Sequence, residues 1–173
     1  MAGEPSGHDG DFAVLLVESG LVTEQQVQRA QAIDQRATMQ LDVALISLGL
    51  LDRERILAVM SRAWKLPIVD LATDWVDSEL VCQWPGDLYL DGNWMPVRDQ
   101  ANGSVLVATA RKPDSSRREL VAAVIQSPVE FAVAGSADIR SAVLSAFDRT
   151  AAVDRTGRGR AGRLLRAVTR RLD

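Results

Sequence analysis

Leu15-Leu16-Val17-Glu18-Ser19-Gly20-Leu21-Val22-Thr23 and Ala44-Leu45-Ile46-Ser47-Leu48-Gly49-Leu50-Leu51-Asp52 are two copies of one pattern, set 29 positions apart. In each, an apolar run leads to a glycine, a second apolar pair and a residue suited to cap a helix. A fixed period with matched apolar, glycine and cap positions marks a repeated supersecondary unit, here a helix, a tight turn and a second helix. The whole stretch from residue 11 to residue 71 is organised by this pair.

Around that repeat, the bulk properties bound the answer. The chain has 173 residues, 47% of them apolar, enough to bury a core as one domain or two small ones. Its one cysteine, Cys82, has no internal disulfide partner, and no Cys/His cluster offers metal-ligand spacing, which points to a reducing compartment without structural zinc. No apolar run approaches the roughly 20 residues needed to span a bilayer, and MAGEPSGHDGD lacks the basic-then-apolar order of a secretory signal. The expected location is cytoplasmic, peripheral at most to the inner face of the cell membrane. The net charge of −3 hides a division: from Arg149 onward the balance is +6, leaving −9 on residues 1–148. Only the tail suits an anionic partner.

Taken in order, residues 1–10 are small and polar and are expected to be a flexible leader, with His8 isolated in it. The run Phe12 to Val17 fits a buried strand or a short helix equally well by periodicity, and the repeat favours the helix. Thr23 with Gln26 is a capping box, so a helix starts at Thr23 or Glu24 and runs to about Arg36. Its Gln-rich surface is either a solvated face or a polar recognition face. Asp52 caps a second helix whose Ile56, Leu57, Val59, Met60, Ala63 and Trp64 follow core spacing. Pro67 ends that helix.

The expected fold class is α+β: a helical subdomain of two helix-turn-helix repeats over residues 11–66, then a small α/β subdomain over residues 67–148. About four strands are expected there, at Pro67–Leu71, Trp94–Arg98, Ser104–Thr109 and Pro128–Ala134. Asp74–Gln83 reads as a short amphipathic helix, Asp87–Leu90 as a turn, Ser115–Gln126 as a helix with Leu120, Ala123 and Val124 facing in, and Ala137–Phe147 as a final helix bearing Ile139, Val143, Leu144 and Phe147. Residues 149–173 form a basic linker and tail, in which Ala161 to Leu172 places Leu164, Leu165, Val168 and Leu172 on one side of a helix. Arg163, Arg166, Arg170 and Arg171 around that stripe are candidate contacts for an anionic membrane; a juxtamembrane or inter-domain linker is the other reading. The tail lacks aromatic residues for base stacking, which argues against sequence-specific nucleic-acid recognition.

No catalytic constellation emerges. There is no nucleophile elbow, and Asp70, Asp74, Asp77 and Glu79 sit where helix capping accounts for them. Trp64, Trp75, Trp84 and Trp94 either line a ligand groove or fill the joint between the subdomains. No catalytic, cofactor or metal residue is therefore expected.

The double repeat, followed by Lys65-Leu66-Pro67-Ile68-Val69-Asp70-Leu71, Trp94-Met95-Pro96-Val97-Arg98 and the Ala110, Pro113, Asp114 pattern, resembles the N-terminal (MshEN-like) domain of type II secretion and type IV pilus assembly ATPases. The resemblance covers roughly residues 11–148. It implies a non-catalytic module that docks onto a membrane-associated partner protein or regulates a linked catalytic domain. The ATPase motor lies in a separate region of such proteins, and this chain has no phosphate-binding-loop sequence. The module also occurs fused to membrane glycosyltransferases. One branch binds cyclic di-GMP through Arg-Leu-Gly-x-x-Leu-Val-x-x-Gly repeats closed by a glutamine. Here the arginine positions hold Asp11 and Gln40, the first-glycine positions Ala13 and Asp42, and the closing positions Asp34 and Ala63. What persists is Leu16, Val17, Gly20, Leu45, Ile46 and Gly49, which are the candidate nucleotide-binding residues under the alternative that the chain is a second-messenger sensor with degenerate motifs.

Overall fold

The computed structural model describes residues 7–37 and 40–155. The repeat forms four helices, α1 (Gly7–Glu18), α2 (Glu24–Ala37), α3 (Leu41–Ser47) and α4 (Arg53–Trp64). The run from Phe12 to Val17 is thus helical, and α1 reaches back to Gly7, into the stretch expected to be a leader. Both turns close in the same way. In the first, the Leu21 N–H donates to Leu16 O at 3.2 Å and Gly20 N–H to Val17 O at 2.9 Å; in the second, Leu50 donates to Leu45 at 3.1 Å and Gly49 to Ile46 at 2.9 Å. This paired closure needs a left-handed residue, and the glycines supply it with φ of +69° and +65°. The caps also correspond. Thr23 and Gln26 exchange a capping box, and the Asp52 carboxylate accepts from Arg55 N–H. Leu16 and Leu45, Val22 and Leu51, and Val27 and Ile56 are equivalent residues, and all six are buried in one helical core.

The second unit comprises α5 (Ser78–Val81), α6 (Gly86–Gly92), β1 (Trp94–Asp99), β2 (Val105–Thr109), α7 (Ser115–Ile125), β3 (Val129–Val133) and α8 (Ser136–Arg155). The sheet order is β1-β2-β3, with β1 antiparallel and β3 parallel to β2. The hairpin around Asn102-Gly103 and the crossover through α7 generate that topology. A register shift at Pro96 accommodates a residue with no N–H to give to the ladder. Tyr89 packs its ring edge-on to buried Trp94 and donates its hydroxyl to Val81 O at 2.7 Å.

Five expectations are corrected here. The sheet has three strands, because Pro67–Leu71 contributes only a bridge from Ile68 to Val133 before the chain turns away. Asp70 causes the turn: its carboxylate accepts from Ala72 N–H and Thr73 O–H, and its carbonyl accepts from Asp74 N–H. That turn also delays the next helix, so Asp74–Gln83 shrinks to α5 behind the Asp77 cap. Asp87–Leu90 is helical as part of α6, and α8 passes Phe147 to end at Arg155, inside the stretch expected to be linker. Arg149 Nε to Ser78 Oγ at 2.9 Å and Cys82 Sγ to Thr150 Oγ1 at 3.4 Å fasten that extension to the α5 region. In α7 the phase differs, Val121 and Ile125 facing inward where Leu120 was expected; in α8 Ile139 and Val143 are buried and Phe147 partly so, as expected, and only Leu144 stays exposed.

The two cores meet at the end of β3. Val133 belongs to the helical core, while Phe131, Ala132 and Ala134 beside it belong to the sheet core. Leu66 and Ala110 pack against both. Polar links reinforce the joint. Arg53 Nε donates to Asp138 at 2.7 Å, Arg53 also pairs with Asp70 at 3.4 Å, and the Asp42 carboxylate accepts from Ser136 N–H at 2.9 Å. Of the four tryptophans only Trp64 flanks this joint; Trp84 and Trp94 pack in the sheet unit and Trp75 is 65% exposed.

The glycine turns give a direct stability test. Space around Gly49 is open, so Gly49→Ala is strained only through its backbone and is expected to cost about 1 kcal/mol, with Gly49→Asn milder. Urea denaturation measures both, and equal stabilities of wild type and Gly49→Ala would show that the left-handed turn is not required.

Candidate functional site

A cavity of about 430 Å³ opens at the joint. Helix α1 supplies Asp11, Phe12, Val14, Leu15 and Glu18; the start of α3 supplies Gln40, Leu41 and Asp42; the end of α4 supplies Ala63 and Trp64. The sheet unit contributes Asn93, Ala110, Arg111, Lys112, Asp114 and Ser136. Two units with separate cores therefore share one concave surface, the usual setting for a binding site.

The local sequence explains why each wall is where it is. Asp11, Val14, Leu15 and Glu18 recur at helical spacing, which turns one acidic-apolar face of α1 to the cavity while Leu16 enters the core. Arg111 and Lys112 lie between β2 and α7, on a connection closed when Asp114 caps α7 by accepting from Arg117 N–H. Ser136 is the first residue of α8, so that helix presents its positive end to Asp42.

Asp42 is the most constrained ionisable group of the site. It is 6% exposed, and burial pushes its pKa above the ordinary 3.8 despite the opposing hydrogen bonds from Ser136. Arg117 is held below its ordinary value by burial and then by the neighbouring Arg111 charge. Its Nη1 donates to Gly92 O at 2.6 Å, whereas Arg111 Nε and Arg117 Nε are buried without a hydrogen-bond partner among the described residues. Two guanidiniums thus crowd one side of the joint. Among the described residues no group of three or more His, Cys, Asp and Glu side chains could hold a metal ion, and no helix is long and apolar enough to cross a membrane.

The candidate nucleotide-binding residues do not line this cavity. Leu16 and Leu45 are fully buried in the helical core, Val17 is half-buried, Ile46 is 39% exposed, and Gly20 and Gly49 form the turns. Their altered neighbours Asp11, Gln40, Asp42 and Ala63 do line it, and Ala13 is buried beside it. The side chains of His8 and Asp34, together with Arg163, Arg166, Arg170 and Arg171, lie outside the described residues. Sequence reasoning missed Asn93, Arg111, Lys112 and Ser136. The pair Arg111-Lys112, inside the Ala110 to Asp114 pattern of an otherwise acidic body, was the available signal.

The MshEN domain family model matches residues 64–153, more than half of the chain. The chain belongs to the MshEN domain family. Among solved structures, MshE with cdg (cyclic di-GMP) aligns at 23% identity and a TM-score of 0.53, covering 76% of this chain and 95% of that one. The N-terminal domain of XpsE aligns at 18% identity and a TM-score of 0.54, covering 83% and 96%. No curated protein matches the chain. At these identities the structural likeness establishes the fold. The expected family and α+β class both hold.

The buried carboxylate makes a pH prediction for this MshEN domain. Because the folded-state pKa of Asp42 is raised, the native state holds that proton more tightly than the unfolded chain. Its contribution to stability is greatest below 3.8 and is lost as pH rises through the raised value. Asp42→Asn keeps an oxygen to accept from Ser136 N–H and removes the titration. Denaturation of both proteins across the acid range should show the variant gaining on wild type as pH rises, and parallel profiles would refute the assignment.

Proposed function

We propose that this MshEN domain is a non-catalytic docking and regulatory module that engages a protein partner at the cytoplasmic membrane face, or a linked catalytic domain, and is not a nucleotide receptor. The observation that carries this reading is the chemistry of the joint cavity. Asp11, Gln40 and Asp42 stand there at the repeat positions where the nucleotide-binding branch has arginines and a glycine. A carboxylate at contact distance from a phosphate opposes binding by on the order of several kcal/mol at an effective dielectric of ~20. Asp42 is also already engaged by the first N–H of α8.

A second reading, that of a cyclic di-GMP receptor, has its own support. MshE was solved with that ligand, and Arg111 and Lys112 bring cationic groups to the cavity from the sheet unit. Titration calorimetry separates the two. The docking reading expects no binding tighter than about 100 μM, roughly −5.5 kcal/mol; low-micromolar affinity would establish the receptor instead. We assign the docking surface to α2, a reading supported by the exposure of Gln25 and Gln28. Changing both to glutamate should leave stability within about 0.5 kcal/mol while reducing capture of the chain by membranes of the cells it comes from. Undiminished capture would remove α2 from the surface.

A further inference from the structure

The sheet-unit wall of the joint cavity carries donors that the described residues leave without partners. Asn93 is 5% exposed and lines the cavity, and its carboxamide forms no hydrogen bond among the described residues. Arg111 and Lys112 line the same wall, and among the described residues neither side chain is in an ion pair. The backbone gathers these groups. Ala110 N–H donates to Asn93 O at 3.0 Å, which sets Asn93 beside Arg111, and Arg117 Nη1 on Gly92 O at 2.6 Å brings a second guanidinium to the same corner.

Such a corner is costly until an anion completes it. A buried carboxamide without a partner has given up its hydration for no hydrogen bond in return. Burial, and after it the Arg111 charge, holds the Arg117 pKa below its ordinary value. A carboxylate has the matching chemistry, because its two oxygens accept from a guanidinium fork, an ammonium and an amide N–H together. The remaining walls restrict the charge that fits. Asp42 is engaged by Ser136 and Asp114 by the start of α7, whereas Asp11 and Glu18 face the cavity from α1 with no cation paired to them among the described residues. Arg111 and Lys112 outweigh one negative charge, and each further charge of a phosphate meets repulsion from Asp11 and Glu18.

We infer that the corner formed by Asn93, Arg111 and Lys112 is a carboxylate-binding site, and that it receives an acidic side chain of the protein that docks on this domain. The partner presents that Asp or Glu next to apolar residues, since Phe12, Leu15 and Trp64 line the cavity as well. That a partner's side chain fills the corner, and not a free acid, rests on the docking reading given above.

Titration of the isotope-labelled full chain with N-acetylglutamate methylamide, followed by NMR at the Asn93 side-chain amide and the Arg111 Nε–H, tests the site. Both signals should shift to saturation with a Kd of about 5 mM, and Arg111→Gln should weaken binding about tenfold. The uncharged N-acetylglutamine methylamide should leave both signals in place in the wild type, a comparison that does not depend on the variant folding. Equal shifts with the two probes, or none with either, would overturn the carboxylate site. Tighter binding of inorganic phosphate than of the glutamate probe would overturn it too, by assigning the corner to a phosphate ligand. The titration involves no partner and no residue of α2. A silent titration therefore removes the site and leaves the α2 reading, while undiminished membrane capture of the Gln25/Gln28 variant removes the α2 reading and leaves the site.

Discussion

The hydrogen bond from Ser136 N–H to the buried Asp42 carboxylate is the constraint on which the joint depends. It connects residues 94 positions apart in sequence and ties the start of α3 to the start of α8. Burying an ionised carboxylate is expensive, and the positive end of α8 offsets only part of that cost, which is why the Asp42 pKa stays raised. Arg53 adds a second fastening by reaching both Asp138 in α8 and Asp70 after the lone bridge. The cavity is what remains beside these fastenings when two units with separate cores are held at a fixed distance.

The duplicated helices show how one local solution serves two different ends. Both copies use the same glycine turn, the same kind of cap and the same buried positions, so their backbones are determined alike. Their outward residues diverge. The first copy presents Asp11 and Glu18 to the cavity, whereas the second directs Asp42 inward to α8 and sends Arg53 across the joint. Duplication fixed the scaffold, and the differences between the copies made one side of it a fastening and the other a wall.

Much of this was legible in the residues because it is written in local chemistry. The glycines, the Thr23 box and the Asp52 cap each act within a few positions, and the period of 29 exposes them twice. The failures share a cause. Whether Ile68 begins a strand or a bridge depends on Asp70 folding back onto Ala72 and Thr73, a competition that periodicity does not register. Whether Leu120 or Val121 faces inward depends on which side of α7 meets β3, since both are apolar. The cavity was the least legible feature. The repeat singled out Asp11, Gln40, Asp42 and Ala63, but its other wall comes from residues as distant as Arg111, Lys112 and Ser136, which nothing local marked as their neighbours.

Helix α8 touches both ends of the arrangement. Its first residue lies at the cavity, while Arg149 and Thr150 near its far end are fastened to Ser78 and Cys82. Arg149 stands about 20 Å along this stiff rod, so roughly 5° of tilt at Ser136 moves it by about 1.7 Å. That displacement exceeds what the 2.9 Å hydrogen bond from Arg149 to Ser78 can absorb without breaking. The rod therefore works as a lever with a latch: small adjustments at the joint are resisted at the far end until the Arg149 contact yields.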